Sequence, residues 1–209
     1  MALQLLDQWY ESEQKKRLES FQVLNQVKDP QIIFLGDSLM EFFPIHELLE
    51  SPKRMVNRGI LASKTYQVLE HLPDLVFGQK LEKVFILLGT NDLAEERDLE
   101  AIVDDLESIL HLVQRSHTGL EIYLLSLLPV NEDAKYQSAV YIRKNSQIQA
   151  LNQLYQGLAS RLPGVTYVDL EAELRDAAGQ LDPALTLDGL HLKAAAYLRL
   201  AQKLQVYLD

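Results

Sequence analysis

The sequence predicts an α/β fold in which a parallel sheet is covered by helices on both faces. Two observations predict it. Runs rich in Ile, Val and Leu alternate along the chain with stretches whose apolar residues recur at helical spacing. The runs are apolar at consecutive positions, as in strands buried on both faces. The chain has 209 residues and shows no internal repeat, low-complexity segment or Gly/Ser/Pro linker, so a single domain over 1–209 is expected.

The elements follow in order. Residues 3–27 place Leu5, Leu6, Trp9, Leu18, Phe21 and Leu24 at helical intervals among charges, an amphipathic helix that should pack, within 1–28, onto the domain. The sequence Lys28-Asp29-Pro30 ends it, since proline turns the preceding residue away from helix. Five strands are expected: QIIFLGDS (31–38), RMVNRGI (54–60), KVFILLGTND (83–92), EIYLLSLLPV (121–130) and GVTYVDL (164–170). Helical patterns occupy 44–50, 65–72, 99–114, 140–162 and 193–208. The polar stretch NEDAKYQS (131–138) follows the fourth strand directly and is a candidate wall for a site at the sheet edge.

Charge and composition exclude several functions. Lysine and arginine number 20 against 30 aspartates and glutamates, a net charge of −10. Such a chain repels phosphate backbones, so nucleic acid is not an expected partner and neither is an anionic membrane. The run EERD (95–98) and the pair Asp104, Asp105 read as solvated helix faces. There is no cysteine, hence no disulfide and no thiolate nucleophile or ligand. The N-terminal residues lack the charged-then-apolar pattern of a leader, and no window is long enough to span a bilayer. The expectation is a soluble, cytoplasmic protein without stable membrane insertion. His46, His71, His111 and His117 lack the spacing of a metal set, and neither a metal nor another cofactor is expected.

Three strands deliver small polar residues at their carboxyl ends or lead to them. The first ends Gly36-Asp37-Ser38, the third ends Gly89-Thr90-Asn91-Asp92, and Asp188-Gly189-Leu190-His191 precedes the last helix. In a parallel sheet all carboxyl ends share one edge, so Ser38, Asn91 and His191 can meet there. The residue types suit one chemistry. A serine hydroxyl becomes nucleophilic when an imidazole takes its proton, and the imidazole needs an acceptor on its other nitrogen, a role open to Asp188. The tetrahedral oxyanion needs donors, and the Asn91 amide is one. No glycine-rich phosphate loop follows any strand. The Gly36-Asp37-Ser38-Leu39-Met40 string lacks the second glycine of the nucleophile elbow of larger α/β hydrolases.

Four short blocks in order, GDSL (36–39), NRGILASKT (57–65), GTND (89–92) and DGLH (188–191), make the sequence resemble the GDSL or SGNH hydrolases. The likeness is strongest to bacterial proteins similar to the catalytic subunits of platelet-activating-factor acetylhydrolase. The resemblance implies a three-layer α/β/α, flavodoxin-like fold with five parallel strands in order 2-1-3-4-5. It implies an acylhydrolase that cleaves small acyl esters through an acyl-serine intermediate, with Ser38 as nucleophile, His191 as base and Asp188 as its orienting partner. The implied oxyanion donors are the Ser38 N–H, an N–H of the second block and the Asn91 amide, with Asp37 bracing the loop. The family's second block usually carries a glycine five residues after its asparagine, where this chain has Ala62. An alanine keeps the N–H, and its backbone is expected at negative φ; Gly59 is then a turn residue. A non-catalytic binding or assembly module on the same fold is the alternative. The partner expected is a small-molecule ester, and the sequence accommodates both a monomer and a homodimer. Leu39, Phe42 and Phe43 either line an acyl pocket or pack the first turn onto the sheet.

Overall fold

A computed structural model describes residues 2–208; Met1 and Asp209, the ends of the expected domain, lie outside the described residues. Five strands form: β1 (Ile32–Gly36), β2 (Met55–Gly59), β3 (Lys83–Leu87), β4 (Glu121–Leu125) and β5 (Val165–Val168). They make one sheet in order β2-β1-β3-β4-β5, and every neighbouring pair is parallel. This is the order that the resemblance implied.

Alternation along the strands divides the core in two. Ile33, Leu35, Val84, Ile86, Ile122 and Leu124 point to one face, while Ile32, Phe34, Phe85, Leu87, Tyr123 and Leu125 point to the other. The first face is covered by α1 (Ala2–Asn25), α4 (Thr65–Glu70), α5 (Leu72–Leu75), α7 (Leu99–Ser116) and α9 (Asn145–Arg161). The second is covered by α2 (Ser38–Glu41), α3 (Ile45–Leu48) and α10 (Ala194–Leu204). On that second face the register pairs Phe34 with Phe85 and Phe85 with Tyr123. Their rings stack at 4.7 Å in both steps, the distance between adjacent strands.

Three elements differ from the sequence-based expectation. Helix α1 packs through Leu18 and Phe21, but Leu5, Leu6, Trp9 and Leu24 remain exposed. A 24-residue helix is about 36 Å long, whereas a five-residue strand covers only about 17 Å, so the helix outruns the sheet. The helix expected over 140–162 starts only at Asn145, because Tyr141 adopts φ 58 and ψ −113, which no helix accommodates. A separate turn, α8 (Gln137–Val140), precedes that kink. The pattern over 65–72 is two helices, with Pro73 in the first turn of α5.

No described helix is long and apolar enough to cross a membrane. In this strand order the connection from β1 runs to β2 on one side while β3 lies on the other, which opens a crevice at the carboxyl ends of β1 and β3. Directly after these strands come α2, which starts at Ser38, and α6 (Thr90–Leu93), which contains Asn91.

Candidate active site

Asp37 caps α2: its Oδ1 accepts the Leu39 N–H at 2.9 Å, and Ser38 occupies the first helical position. Ser38 Oγ lies 3.2 Å from His191 Nε2 although the residues are 153 positions apart. His191 Nδ1 lies 2.7 Å from Asp188 Oδ2. A carboxylate can only accept, so the Nδ1 atom carries the proton and Nε2 presents its lone pair to the Ser38 hydroxyl. Asp188 Oδ1 also accepts the His191 and Leu190 N–H groups at 2.7 and 3.0 Å, so the loop curls tightly around its own carboxylate. Burial works against the Asp188 charge, but the hydrogen bonds from the His191 side chain and from these N–H groups outweigh it and hold the carboxyl below the ordinary value.

Gly189 makes that curl fit. It sits at φ 88, and a Cβ there would lie 2.5 Å from Tyr136 Cβ and 2.9 Å from Val140 Cγ2. The Asn131 N–H donates to the Gly189 carbonyl at 2.8 Å. The stretch expected as a site wall therefore packs against the loop that carries Asp188 and His191.

The second block forms a turn at the carboxyl end of β2. The Asn57 amide donates to the Met40 and Phe43 carbonyls at 2.7 and 3.2 Å, and its Oδ1 accepts the Gly59 N–H at 2.8 Å. Gly59 ends the strand and is not a turn residue; a Cβ on it would lie 2.5 Å from Glu41 Cα, so its role is the close approach of α2. Leu61 is held at both ends, its N–H by Glu41 Oε2 at 2.6 Å and its carbonyl by Gln14 Nε2 at 2.9 Å. Ala62 follows at φ 55, in the left-handed region rather than at the negative φ expected. The reason is this anchoring, together with the Ser63 N–H bonded to the Ile60 carbonyl at 3.2 Å, which closes the turn around Ala62. Among the described residues nothing accepts the Ala62 N–H.

Asn91 Nδ2 donates to the Ser63 carbonyl at 3.1 Å, which ties the third block to this turn, and its second amide hydrogen has no acceptor among the described residues. Asp92 braces the same junction. It accepts the Thr65 hydroxyl at 2.7 Å and Arg97 at 2.5 Å, and Arg97 also reaches Asp105 at 2.8 Å. Asp105 and Arg97 are thus part of a half-buried brace and not of a solvated face, whereas Glu95, Glu96, Asp98 and Asp104 are exposed as expected. Leu39 and Phe43 are buried in the core, while Phe42 is 53% exposed with its ring 5.9 Å from that of His191.

The family model for GDSL-like lipases and acylhydrolases matches residues 34–199. The chain belongs to this family. It is therefore a carboxylic ester hydrolase, similar to proteins named for platelet-activating factor. Rat platelet-activating factor acetylhydrolase IB subunit alpha2 (Rattus norvegicus) is 26% identical over 181 residues, which cover 85% of this chain and 75% of that protein. A Streptococcus pneumonia protein whose solved structure is named for platelet activating factor superposes with a TM-score of 0.96 at 44% identity, over 100% of this chain and 99% of the other. The acetylxylan esterase Axe2 of Geobacillus stearothermophilus shares the fold, with a TM-score of 0.67 at 18% identity over 86% of this chain and 94% of its own.

Two features of this GDSL site have no visible sequence signal. Arg143 lies in a stretch that reads as helix, yet it is buried against Thr90 and Asn91. Asp37 is buried, its Oδ2 has no hydrogen-bond partner among the described residues, and burial pushes its carboxyl up to about 7 against the pull of the Leu39 N–H and the Arg143 charge.

Two outcomes are expected. Ala62→Gly relieves a left-handed alanine, so it should stabilise the protein by about 0.5–1 kcal/mol, read as a melting temperature raised by about 2 °C. A lower melting temperature would mean that the turn does not hold Ala62 at positive φ. For Asp37, a carboxyl raised on folding makes the native state bind the proton more tightly than the unfolded chain, so its contribution is present at low pH and lost as pH rises from about 4 to about 7. The stability of Asp37→Asn relative to wild type should therefore grow across that window, by about 3 kcal/mol between urea melts at pH 4.5 and 8. A difference that stays constant with pH would show that Asp37 ionises freely.

Proposed function

We propose that the protein cleaves small acyl esters through an acyl-serine intermediate. The observation that carries this reading is the relay from Ser38 Oγ through His191 Nε2 and Nδ1 to Asp188, with contacts of 3.2 and 2.7 Å. Ser38 Oγ attacks the ester carbonyl carbon as its proton passes to His191 Nε2, and the C=O electron pair moves onto oxygen. Asp188 holds the imidazole in the required tautomer and balances the imidazolium. The Ser38 and Ala62 N–H groups and the Asn91 amide receive the oxyanion. On collapse the C–O bond to the alcohol breaks, and the departing oxygen takes the proton from Nε2. Water then repeats the sequence on the acyl-serine, so that the products are acid and alcohol.

The small size of the acyl group is supported by the name of a similar protein, a platelet-activating factor acetylhydrolase, which denotes hydrolysis of an acetyl ester. Phe42 and Leu187, both exposed near Ser38 and Asp188 in the sequence, give the rim of the site an apolar character.

The test is a panel of p-nitrophenyl esters, acetylated sugars and a short-chain phospholipid, with the Ser38→Ala protein as blank. Short-chain esters should be hydrolysed best, and a fluorophosphonate should add one equivalent of mass at Ser38. Activity that survives in Ser38→Ala, or a label found elsewhere, would sink the acyl-serine reading. On the same panel Phe42→Ala should raise KM about threefold to tenfold for esters with an apolar alcohol and leave kcat nearly unchanged, since only rim burial is lost. An unchanged KM would place the alcohol away from Phe42.

A further inference from the structure

We infer that Arg143 positions the Asn91 amide, fixing which of its two ends faces the cleft. The inference rests on the proposed role of Asn91 as an oxyanion donor and assigns a residue that supports it.

An asparagine side chain is nearly symmetric in shape but presents an acceptor at one end and donors at the other, so a half-turn would replace the N–H facing the cleft by a carbonyl oxygen that repels an oxyanion. Its neighbours decide the orientation. Arg143 Nη2 donates to Asn91 Oδ1 at 2.8 Å, and a guanidinium has no acceptor. The Ser63 carbonyl, 3.1 Å from Asn91 Nδ2, has no donor. With Arg143 in place only one orientation satisfies both contacts. Without it, the oxygen end loses its partner and the flipped amide loses less.

Arg143 is itself fixed from several sides. Its Nε donates to the Thr90 carbonyl at 2.7 Å, next to Asn91, and its Nη1 donates to the Ala139 and Val140 carbonyls at 3.2 and 3.3 Å. Four bonds in three directions need the planar fork of a guanidinium, which the point charge of a lysine does not reproduce. The side chain is only 6% exposed, and among the described residues no carboxylate lies within ion-pair distance. Burial holds its pKa below the ordinary arginine value, against the pull of Asp37, Tyr10 and Asp188. A buried cation solvated by carbonyls and one amide is a costly way to fill space. It does, however, draw electron density from Asn91 Oδ1 and so strengthens the N–H at the other end of the amide. The backbone leading to it is strained as well: Tyr141, two residues before, sits at φ 58 and ψ −113, and its carbonyl accepts from the Gln137 side chain. Strain of this kind is held where the neighbouring structure over-determines it.

The experiment is steady-state kinetics on p-nitrophenyl acetate with Arg143→Ala, Asn91→Ala, the double variant and Ser38→Ala, each checked by circular dichroism and melting. Arg143→Ala should lower kcat about 10- to 100-fold, somewhat less than deletion of an oxyanion donor, with KM within about threefold. Because Arg143 acts through Asn91, the double variant should be no more than about threefold slower than Asn91→Ala alone. Added guanidinium should restore kcat in Arg143→Ala and not in the double variant. A wild-type kcat in Arg143→Ala, or losses that multiply in the double variant, would overturn the assignment. Should Arg143→Ala fail to fold, Arg143→Gln is measured by the same criteria. Failure of the acyl-serine reading is seen separately, as activity retained by Ser38→Ala.

Discussion

The close seat of the first turn after β1 on the end of β2 is the constraint on which the site depends. Gly59 lets the Glu41 backbone approach to a distance that a methyl group would block, and the Asn57 amide adds a further bond to the Met40 and Phe43 carbonyls, which also accept backbone N–H groups of this turn. With α2 fixed in this way, Glu41 Oε2 reaches the Leu61 N–H, and the turn bearing Ala62 is tied to the helix that starts at Ser38. That tie depends on packing around one glycine and one asparagine. Asn91 is tied to the same turn through the Ser63 carbonyl.

Two aspartates at the site show how environment divides residues of one type. Asp188 accepts three hydrogen bonds from its own loop and stays below the ordinary carboxylate value despite its burial. Asp37 accepts one, from the Leu39 N–H, and burial dominates, so its carboxyl is raised to about 7. The first is suited to stabilise a cation on His191. The second is suited to cap α2 through its bond to the Leu39 N–H, with burial raising its carboxyl toward the neutral range.

Much of the fold was legible in the sequence because a buried parallel strand writes a local signature. All five apolar runs became strands, and the polar residues at their ends fell on one edge as the topology requires. Ser38, Asp188 and His191 were legible for a similar reason, since each lies in a short block with its own spacing. Arg143 was not: it meets Asn91 across 52 positions, and an arginine in an apparently helical stretch looks like any solvated cation. The brace from Asp92 through Thr65 and Arg97 to Asp105 was hidden in the same way, behind charges that read as surface. The helix start at Asn145 was misplaced because nothing in Tyr141 announces a positive φ. Tyrosine adopts that conformation only when its surroundings impose it.

The left-handed Ala62 fits the same logic. A glycine in that turn would cost nothing in sterics, and an alanine costs about 1–2 kcal/mol, so the conformation must be imposed from outside. Around it, Leu61 is held by Glu41 and Gln14, Ser63 by the Ile60 carbonyl and by Asn91, and Thr65 by Asp92. Each of these contacts is worth on the order of 1 kcal/mol, so together they exceed the strain several-fold. The substitution that looks most disruptive in the sequence is therefore absorbed locally. An N–H without an acceptor among the described residues is kept in place by the anchors around it and not by the preference of the residue that bears it.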